Sequence, residues 1–211
     1  VKKDDEFAST NDITKEDRSV LSGKKVDDMT DGNHSDVNNY PHISKAWTVK
    51  PMLCTLVDTP FDKEDWLFEV KWDGFRAIGS RLGGKIDLRS RTNTDFSSHY
   101  PPVVEALRQF NHDVVIDGEI VATDKNGVPH FELLQNWRRD PIGNLQYCVF
   151  DLLWIDGRDI RTMPLVERKA LLQSIIPKGS IIRFSDHVKT RGEALFREVQ
   201  KRGLEDSLLT V

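Results

Sequence analysis

Two β-prone runs joined by a turn signal constrain the fold of this chain more than any other feature. Residues 66–71 are mostly apolar and end in Glu69-Val70-Lys71, Asp73-Gly74 predicts a turn, and residues 75–82 form the second run. Because side chains alternate along a strand, Glu69 and Lys71 are predicted to share one face. The pattern predicts a hairpin that brings an amine, a carboxylate and the Arg76 guanidinium together, either as a site or as a solvated charged surface.

Further short elements follow along the chain. Gly83-Gly84 predicts a turn into a third strand at 85–91, so the first three strands are expected to form one meander. Strands are also predicted at 113–122, 145–154 and 181–184, and helices at 101–110, 131–137, 164–173 (amphipathic) and 191–201. Helices alternate with strands only in part, which favours an α+β domain of antiparallel sheets flanked by helices.

Residues 1–45 differ from the rest in composition. They hold ten acidic and seven basic side chains but only two aromatic ones, Phe7 and Tyr40. Such a segment cannot bury enough apolar surface to offset its chain entropy. We predict a disordered linker or tail over 1–45 and an ordered domain over 46–211.

Charge and cysteine content exclude several classes of protein. The net charge of −4 gives no global basic signature for nucleic-acid binding. Cys54 and Cys148 have neither metal-ligand spacing nor a disulfide framework, which favours buried thiols in a reducing compartment. No apolar run is long enough to span a membrane, and no secretory signal is visible. We therefore expect a cytoplasmic protein without a membrane partner.

The segment from Lys71 to Arg76 has the form Lys-x-Asp-Gly-x-Arg. It resembles the nucleotide-attachment motif of covalent nucleotidyltransferases, which include ATP-dependent DNA ligases, RNA ligases and mRNA capping enzymes. In that family the lysine attacks the α-phosphate of a nucleotide and carries it as a phosphoramidate. The resemblance implies that Lys71 is the catalytic residue, that Glu69 contacts the adenine edge, and that Arg76 lies by the nucleotide. Positive charge near Lys71 would favour the unprotonated amine that attacks.

Asp117-Gly118-Glu119 interrupts an apolar strand, and its two carboxylates alternate to the same face. Buried carboxylates need partners, so a site is favoured over a hairpin edge with two solvated acids. The segment resembles a second family motif, which implies that Glu119 lies by the ribose and a metal ion. Arg91, in Ser90-Arg91-Thr92-Asn93, is similarly implied to reach the nucleotide, although Thr92 and Asn93 depart from the usual Ser-Arg-Asn-Gly.

Two further segments extend the resemblance. Phe150, within residues 147–153, matches a phenylalanine that stacks on the adenine ring, and an aromatic face suits a purine. Gly203-Leu204-Glu205 matches the start of a motif whose glutamate holds a metal, so Glu205 is implied to share the metal with Glu119. The Lys-x-Lys motif and the oligonucleotide-binding domain that follow in the family are not present before Val211. We therefore expect an adenylation domain that is incomplete at its C-terminus.

Taken from about Lys50 to Glu205, the chain most resembles bacterial ATP-dependent DNA ligases of the non-homologous end-joining type. The resemblance implies an ATP-grasp-like nucleotidyltransferase fold, ATP and Mg²⁺ (or Mn²⁺) as cofactors, and nicked or broken double-stranded DNA as partner. It also implies association with other end-joining repair domains, in the bacterial cytoplasm near the nucleoid.

Three alternatives stay open: a catalytically impaired nucleotide-binding remnant, an RNA ligase or capping-type enzyme, and a DNA-bridging module. Without the missing motifs, we expect weak self-adenylation or none, and no nick sealing by these 211 residues alone.

Overall fold

Two β-sheets organise the residues that this computed structural model describes, which are 36–43, 49–52, 59–137, 139–201 and 208–210. The strands are β1 (Leu67–Val70), β2 (Phe75–Leu82), β3 (Lys85–Ser90), β4 (Val114–Thr123), β5 (Asn144–Ile155), β6 (Arg158–Asp159), β7 (Ile182–Phe184), β8 (His187–Lys189) and β9 (Leu208–Thr210). The helices are α1 (Pro101–Arg108), α2 (Phe131–Asn136), α3 (Leu165–Ile175) and α4 (Gly192–Lys201). Every strand and helix predicted from the sequence is present with small shifts at its ends, and the short strands β6, β8 and β9 are additions.

The larger sheet has six strands in the order β3-β2-β4-β5-β6, with β7 also paired to β5. All pairs are antiparallel except β5 with β7. Helices α1, α2 and α3 pack against this sheet, while α4 packs against the smaller one. The predicted α+β architecture with antiparallel sheets is confirmed.

The core lies under β4 and β5, whose side chains are buried on both faces over most of their length. Large members with no more than 2% exposure include Phe110, Ile116, Ile120, Tyr147 and Leu152. Burying one such side chain stabilises the fold by about 1.5–3 kcal/mol. These strands therefore form the rigid support on which the polar residues of β4 and β5 are held.

A predicted hairpin between β1 and β2 is wrong. β1 pairs with β8 and β9 in a separate three-stranded sheet, whereas β2 pairs with β3 and β4. Gly74 allows the chain to cross from one sheet to the other, because a residue without a side chain can pack directly on β4. A Cβ at Gly74 would lie 2.1 Å from the Ile120 carbonyl oxygen. The chain therefore passes from the small sheet to the large one over residues 71–74.

The predicted amphipathic character of residues 164–173 is also wrong. The buried residues of α3 are Arg168, Lys169 and Leu172, so its inward face carries two cations. Their partners are carboxylates and carbonyls of the sheets, described below. Long-range polar contacts, which a periodicity of apolar residues does not reveal, hold this helix in place.

Part of the segment predicted to be disordered is ordered. Residues 36–43, within the predicted 1–45 tail, begin with a 3₁₀ turn at Val37–Asn39. His42 forms a β-bridge with Arg158, and Trp154 Nε1 donates to the Ile43 carbonyl at 3.0 Å. Residues 36–43 are therefore part of the folded structure, because hydrogen bonds to their backbone, which composition does not show, hold this polar stretch. Residues 1–35, Cys54, Gly203 and Glu205 lie outside the described residues.

Among the helices of the described chain, none has the length and apolar character needed to cross a membrane.

Candidate active site

Lys71 lies directly after β1, partly buried, where the chain leaves the small sheet. Two of the positions that follow it are anchored. Trp72 Nε1 donates to Ser185 Oγ at 3.0 Å, and Gly74 packs on the backbone of β4. The lysine thus lies between the end of β1 and these two fixed contacts, at the junction of the sheets.

Arg76 on β2 binds Asp117 on β4 through two nitrogens. Nε donates to Oδ1 at 3.1 Å and Nη2 to Oδ2 at 2.8 Å, and Nη2 also donates to the Met52 carbonyl. Asp117 is only 1% exposed. Burial raises the pKa of Asp117 to about 6, although the hydrogen bond and charge of Arg76 act in the opposite direction. The Arg76 guanidinium carbon also lies 5.4 Å from the centre of the Phe150 ring.

Glu119 pairs with Arg76 across the β2–β4 ladder and is partly buried. Burial raises the pKa of Glu119 to about 8, while the charges of Arg76 and Lys71 oppose the shift and those of Asp117 and Asp73 add to it. Because β4 lies between β2 and β5, the alternative of a solvated hairpin edge is excluded. Glu119 is a carboxylate in surroundings that favour an additional positive charge.

Gly118 allows the close packing behind this site. A Cβ at this position would lie 2.6 Å from the Cys148 carbonyl oxygen, and the β4–β5 register shifts between Asp117 and Gly118. The glycine between the two acids is therefore required by contact with β5. Burial raises the pKa of the neighbouring Cys148 thiol to about 12, so this thiol is protonated at neutral pH.

Phe150 on β5 is partly buried, and one ring face meets Arg76. The next residue, Asp151, is buried and accepts two bonds from Arg168, at 2.8 Å from Nε and 3.0 Å from Nη2. This forked ion pair fastens β5 to α3 beside the aromatic ring. The ring is thus on a rigid strand but outside the fully buried core.

Glu69 is 2% exposed, and its Oε2 lies 2.9 Å from Lys169 Nζ of α3. Sequence reasoning missed both Lys169 and Arg168. A signal was present, because Lys169 stands between Leu165 and Leu172 at helical spacing and so falls on the inward face. A cation on such a face indicates a buried acidic partner.

Arg91 is exposed in the turn after β3. Pairing of Ser90 with Ala77 places it near the Arg76 end of β2. Its contact with a nucleotide stays a prediction, as does the metal role of Glu205, which lies outside the described residues.

Within the described ranges, no group of three His, Cys, Asp or Glu side chains could hold a metal ion. Mg²⁺ does not need such a cage, since it commonly uses one or two carboxylates together with substrate phosphates and waters. Glu119, a buried carboxylate whose ionised form is disfavoured mainly by burial, fits one of these ligands.

Comparison with known proteins identifies the class. Residues 51–208 match the family described as the ATP dependent DNA ligase domain, and the chain belongs to this family. The predicted family is therefore confirmed.

Two curated relatives show the range of proteins that share this domain. The multifunctional non-homologous end joining protein LigD of Mycolicibacterium smegmatis is 33% identical over 157 residues, covering 74% of this chain and 20% of that protein. The SPbeta prophage-derived DNA ligase-like protein LigB of Bacillus subtilis is 31% identical over 159 residues, covering 74% of this chain and 58% of that protein. The chain thus spans 20% of the length of this LigD protein and 58% of the length of this LigB protein.

Solved structures of LigD ligases have a similar fold to this chain. A mycobacterial DNA ligase D complexed with ATP and MES is 32% identical, with a TM-score of 0.65 over 76% of this chain and 53% of that chain. The ligase domain of LigD from M. tuberculosis is also 32% identical, with a TM-score of 0.61 over 71% of this chain and 49% of that chain. The predicted nucleotidyltransferase fold class is confirmed.

Proposed function

We propose that this chain is the adenylation domain of an ATP-dependent DNA ligase acting in end joining. The observation that carries the proposal is the meeting of Lys71, Arg76, Glu119 and Phe150 where the two sheets join. Both Lys71 and Arg76 act electrostatically on Glu119, and Arg76 faces the Phe150 ring. A nucleophile, a cation, a carboxylate and an aromatic face are together the parts that a nucleotide requires.

In the proposed reaction, the unprotonated Lys71 amine attacks the α-phosphorus of ATP. A nitrogen–phosphorus bond forms, the bond to the β-phosphate oxygen breaks, and pyrophosphate leaves with the bonding electrons. The AMP then passes to a 5′-phosphate of DNA, and a 3′-hydroxyl displaces it. The DNA substrate and the repair setting are proposed from the family and from relatives described as end-joining proteins.

The other residues take supporting roles. Phe150 stacks on the adenine, Glu69 lies at its edge, and Arg76 and Arg91 contact the nucleotide. A bound Mg²⁺ or Mn²⁺ would neutralise charge on the triphosphate and so favour the departure of pyrophosphate. Glu119, together with Glu205, would hold this ion, and Glu119 also lies toward the ribose. Action in the bacterial cytoplasm on nicked or broken DNA, alongside other repair domains, completes the proposal.

Intact mass after incubation with ATP and Mg²⁺ tests the proposal. Because self-adenylation is expected to be weak, a small fraction of the chain should gain the mass of one AMP, and Lys71→Ala should abolish the gain. Lys71→Arg should abolish it too, because a guanidinium stays protonated and does not attack.

Lys85→Ala is the matched control, since Lys85 is exposed in the β2–β3 hairpin, and it should retain the adduct. An adduct that persists in folded Lys71→Ala would refute the assignment. Absence of any adduct in the unaltered chain, with ATP bound, would refute the catalytic proposal.

A further inference from the structure

The ammonium group of Lys169 is buried where three segments of the candidate site meet. The side chain has no exposed surface. Its Nζ lies 2.9 Å from Glu69 Oε2 and donates to the carbonyls of Phe150 at 3.2 Å and Ser185 at 2.9 Å. An ammonium has three donors, and these partners come from β1, from β5 and from the loop between β7 and β8.

Two of these partners are the residues assigned to the base, Glu69 at its edge and Phe150 at its face. The third, Ser185, also accepts the Trp72 hydrogen bond beside Lys71. Lys169 therefore links both base-recognition residues to the segment that holds the nucleophile.

The carboxylate of Glu69 retains capacity to accept from a ligand. Lys169 meets Oε2 at 2.9 Å, and the Ser185 hydroxyl also hydrogen-bonds to the carboxylate. A carboxylate has about four acceptor positions, so these two contacts do not saturate it. A carboxylate accepts from an amino group and repels a carbonyl oxygen. Adenine presents an amino donor at position 6, where guanine presents an oxygen acceptor.

We propose that Lys169 is a positioning residue that holds Glu69 as a charged acceptor and thereby sets the preference of the site for adenine over guanine nucleotides. The inference rests on the proposed function, because it requires a nucleotide base at Glu69 and Phe150.

The charges around Glu69 support this role. Lys169 approaches from α3, Asp151 adds negative charge from β5, and His187 on β8 is the cross-strand partner of Glu69. Burial, together with the charges of Lys169 and Lys189, lowers the pKa of His187 to about 4, so this imidazole is neutral near pH 7. Burial raises the pKa of Glu69, and the charge and hydrogen bond of Lys169 oppose the rise most strongly, followed by the hydrogen bond of Ser185. Without Lys169, Glu69 would take up a proton more readily and could donate to guanine.

The test compares the Kd of ATP with that of GTP by calorimetry, in a Lys71→Ala background so that no adduct forms. Lys169→Met should lower the ratio of GTP Kd to ATP Kd by about tenfold or more, the scale expected when a buried acceptor loses its partner. Lys169→Arg keeps the charge and should keep most of the preference. An unchanged ratio in folded Lys169→Met would overturn the inference.

A second variant keeps the inference testable if Lys169→Met does not fold. That substitution leaves a buried carboxylate without its cation. Combining Glu69→Gln with Lys169→Met removes both charges and should also abolish the preference. A folded double variant with the parent ratio would overturn the inference.

Arg81→Met is the control, because it breaks another ion pair, 2.8 Å from Asp113, at the opposite end of β2 from Arg76. It should leave the ratio unchanged, and an equal loss of preference there would overturn a specific role for Lys169. A parent that binds neither nucleotide refutes the proposed function and the inference together. A parent that prefers ATP, with the preference unaffected by Lys169→Met, refutes the inference alone.

Discussion

At the scale of a residue, Glu119 shows how the fold prepares a carboxylate for a cation. In water a glutamate is ionised at neutral pH, but burial raises the pKa of Glu119 from 4.5 to about 8 even with Arg76 and Lys71 nearby. The folded protein therefore binds this proton more tightly than the unfolded chain does. A metal ion or another cationic group at the site would restore the ionised form.

This shift predicts a pH dependence of stability. Because the folded-state pKa is raised, the stabilisation from Glu119 is full below about 4.5 and is lost as the pH rises toward about 8. Without metal, the free energy of unfolding should fall between about pH 5 and pH 8 by about 1–3 kcal/mol more in the unaltered chain than in Glu119→Gln. Urea unfolding at both pH values measures the difference.

Asp117, whose pKa is raised to about 6, is present in both proteins, so the effect of its own burial contributes to both pH profiles. Parallel pH profiles for the two proteins would contradict the predicted shift.

At the scale of an element, the passage from β1 to β2 decides where the nucleophile lies. Strands β1 and β2 belong to different sheets, and Gly74 packs the connection between them against β4. Lys71 consequently faces residues of the larger sheet although it follows a strand of the smaller one. Helix α3 also connects the two sheets, because its buried Lys169 and Arg168 form ion pairs with residues of β1 and β5, respectively.

Gly74→Ala should therefore damage both stability and adduct formation. The added Cβ would lie 2.1 Å from the Ile120 carbonyl oxygen, a backbone atom that cannot move without disturbing the β2–β4 ladder. We expect a loss of about 1–3 kcal/mol in the free energy of unfolding and slower adenylation of Lys71.

Gly84→Asn is the matched control. Gly84 has φ of +79°, a Cβ added there would have nothing within 4 Å, and asparagine tolerates this conformation well. Near-equal unfolding energies for Gly74→Ala and Gly84→Asn would show that close packing at Gly74 is unimportant.

At the scale of the whole molecule, residues 36–43 close one edge of the larger sheet. The Tyr40 carbonyl accepts from Arg158 Nη1 at 3.1 Å, and the Ile43 carbonyl accepts from Trp154 Nε1 at 3.0 Å. These contacts join the segment to β5 and β6, so it belongs to the folded domain. Disorder of the preceding residues 1–35 stays a prediction.

Two truncations test this boundary. Removal of residues 1–35 should leave the free energy of unfolding and the Kd of ATP unchanged. Removal of residues 1–43 should cost about 1–3 kcal/mol, because partly buried donors on Trp154 and Arg158 lose their acceptors. Denaturant unfolding and calorimetry measure both effects. Equal stability of the two truncated chains would place the boundary after Ile43, as the composition alone predicts.

The family and the positions of most strands and helices follow from sequence patterns alone. This information is local: Lys71 and Arg76 stand at fixed spacing, Asp117 and Glu119 alternate on one strand, and Gly83-Gly84 turns a hairpin. Such patterns depend on backbone geometry over a few residues, which a sequence shows directly.

The pairing of strands and the contacts between charges depend on the tertiary fold. β1 pairs with β8 and β9 rather than with its neighbour β2, and Lys169 reaches Glu69 from a distant helix. The burial that shifts Glu119 likewise depends on strands on both sides of β4. These contacts join residues far apart in the chain, and their energies depend on desolvation and packing that exist only once the sheets have assembled.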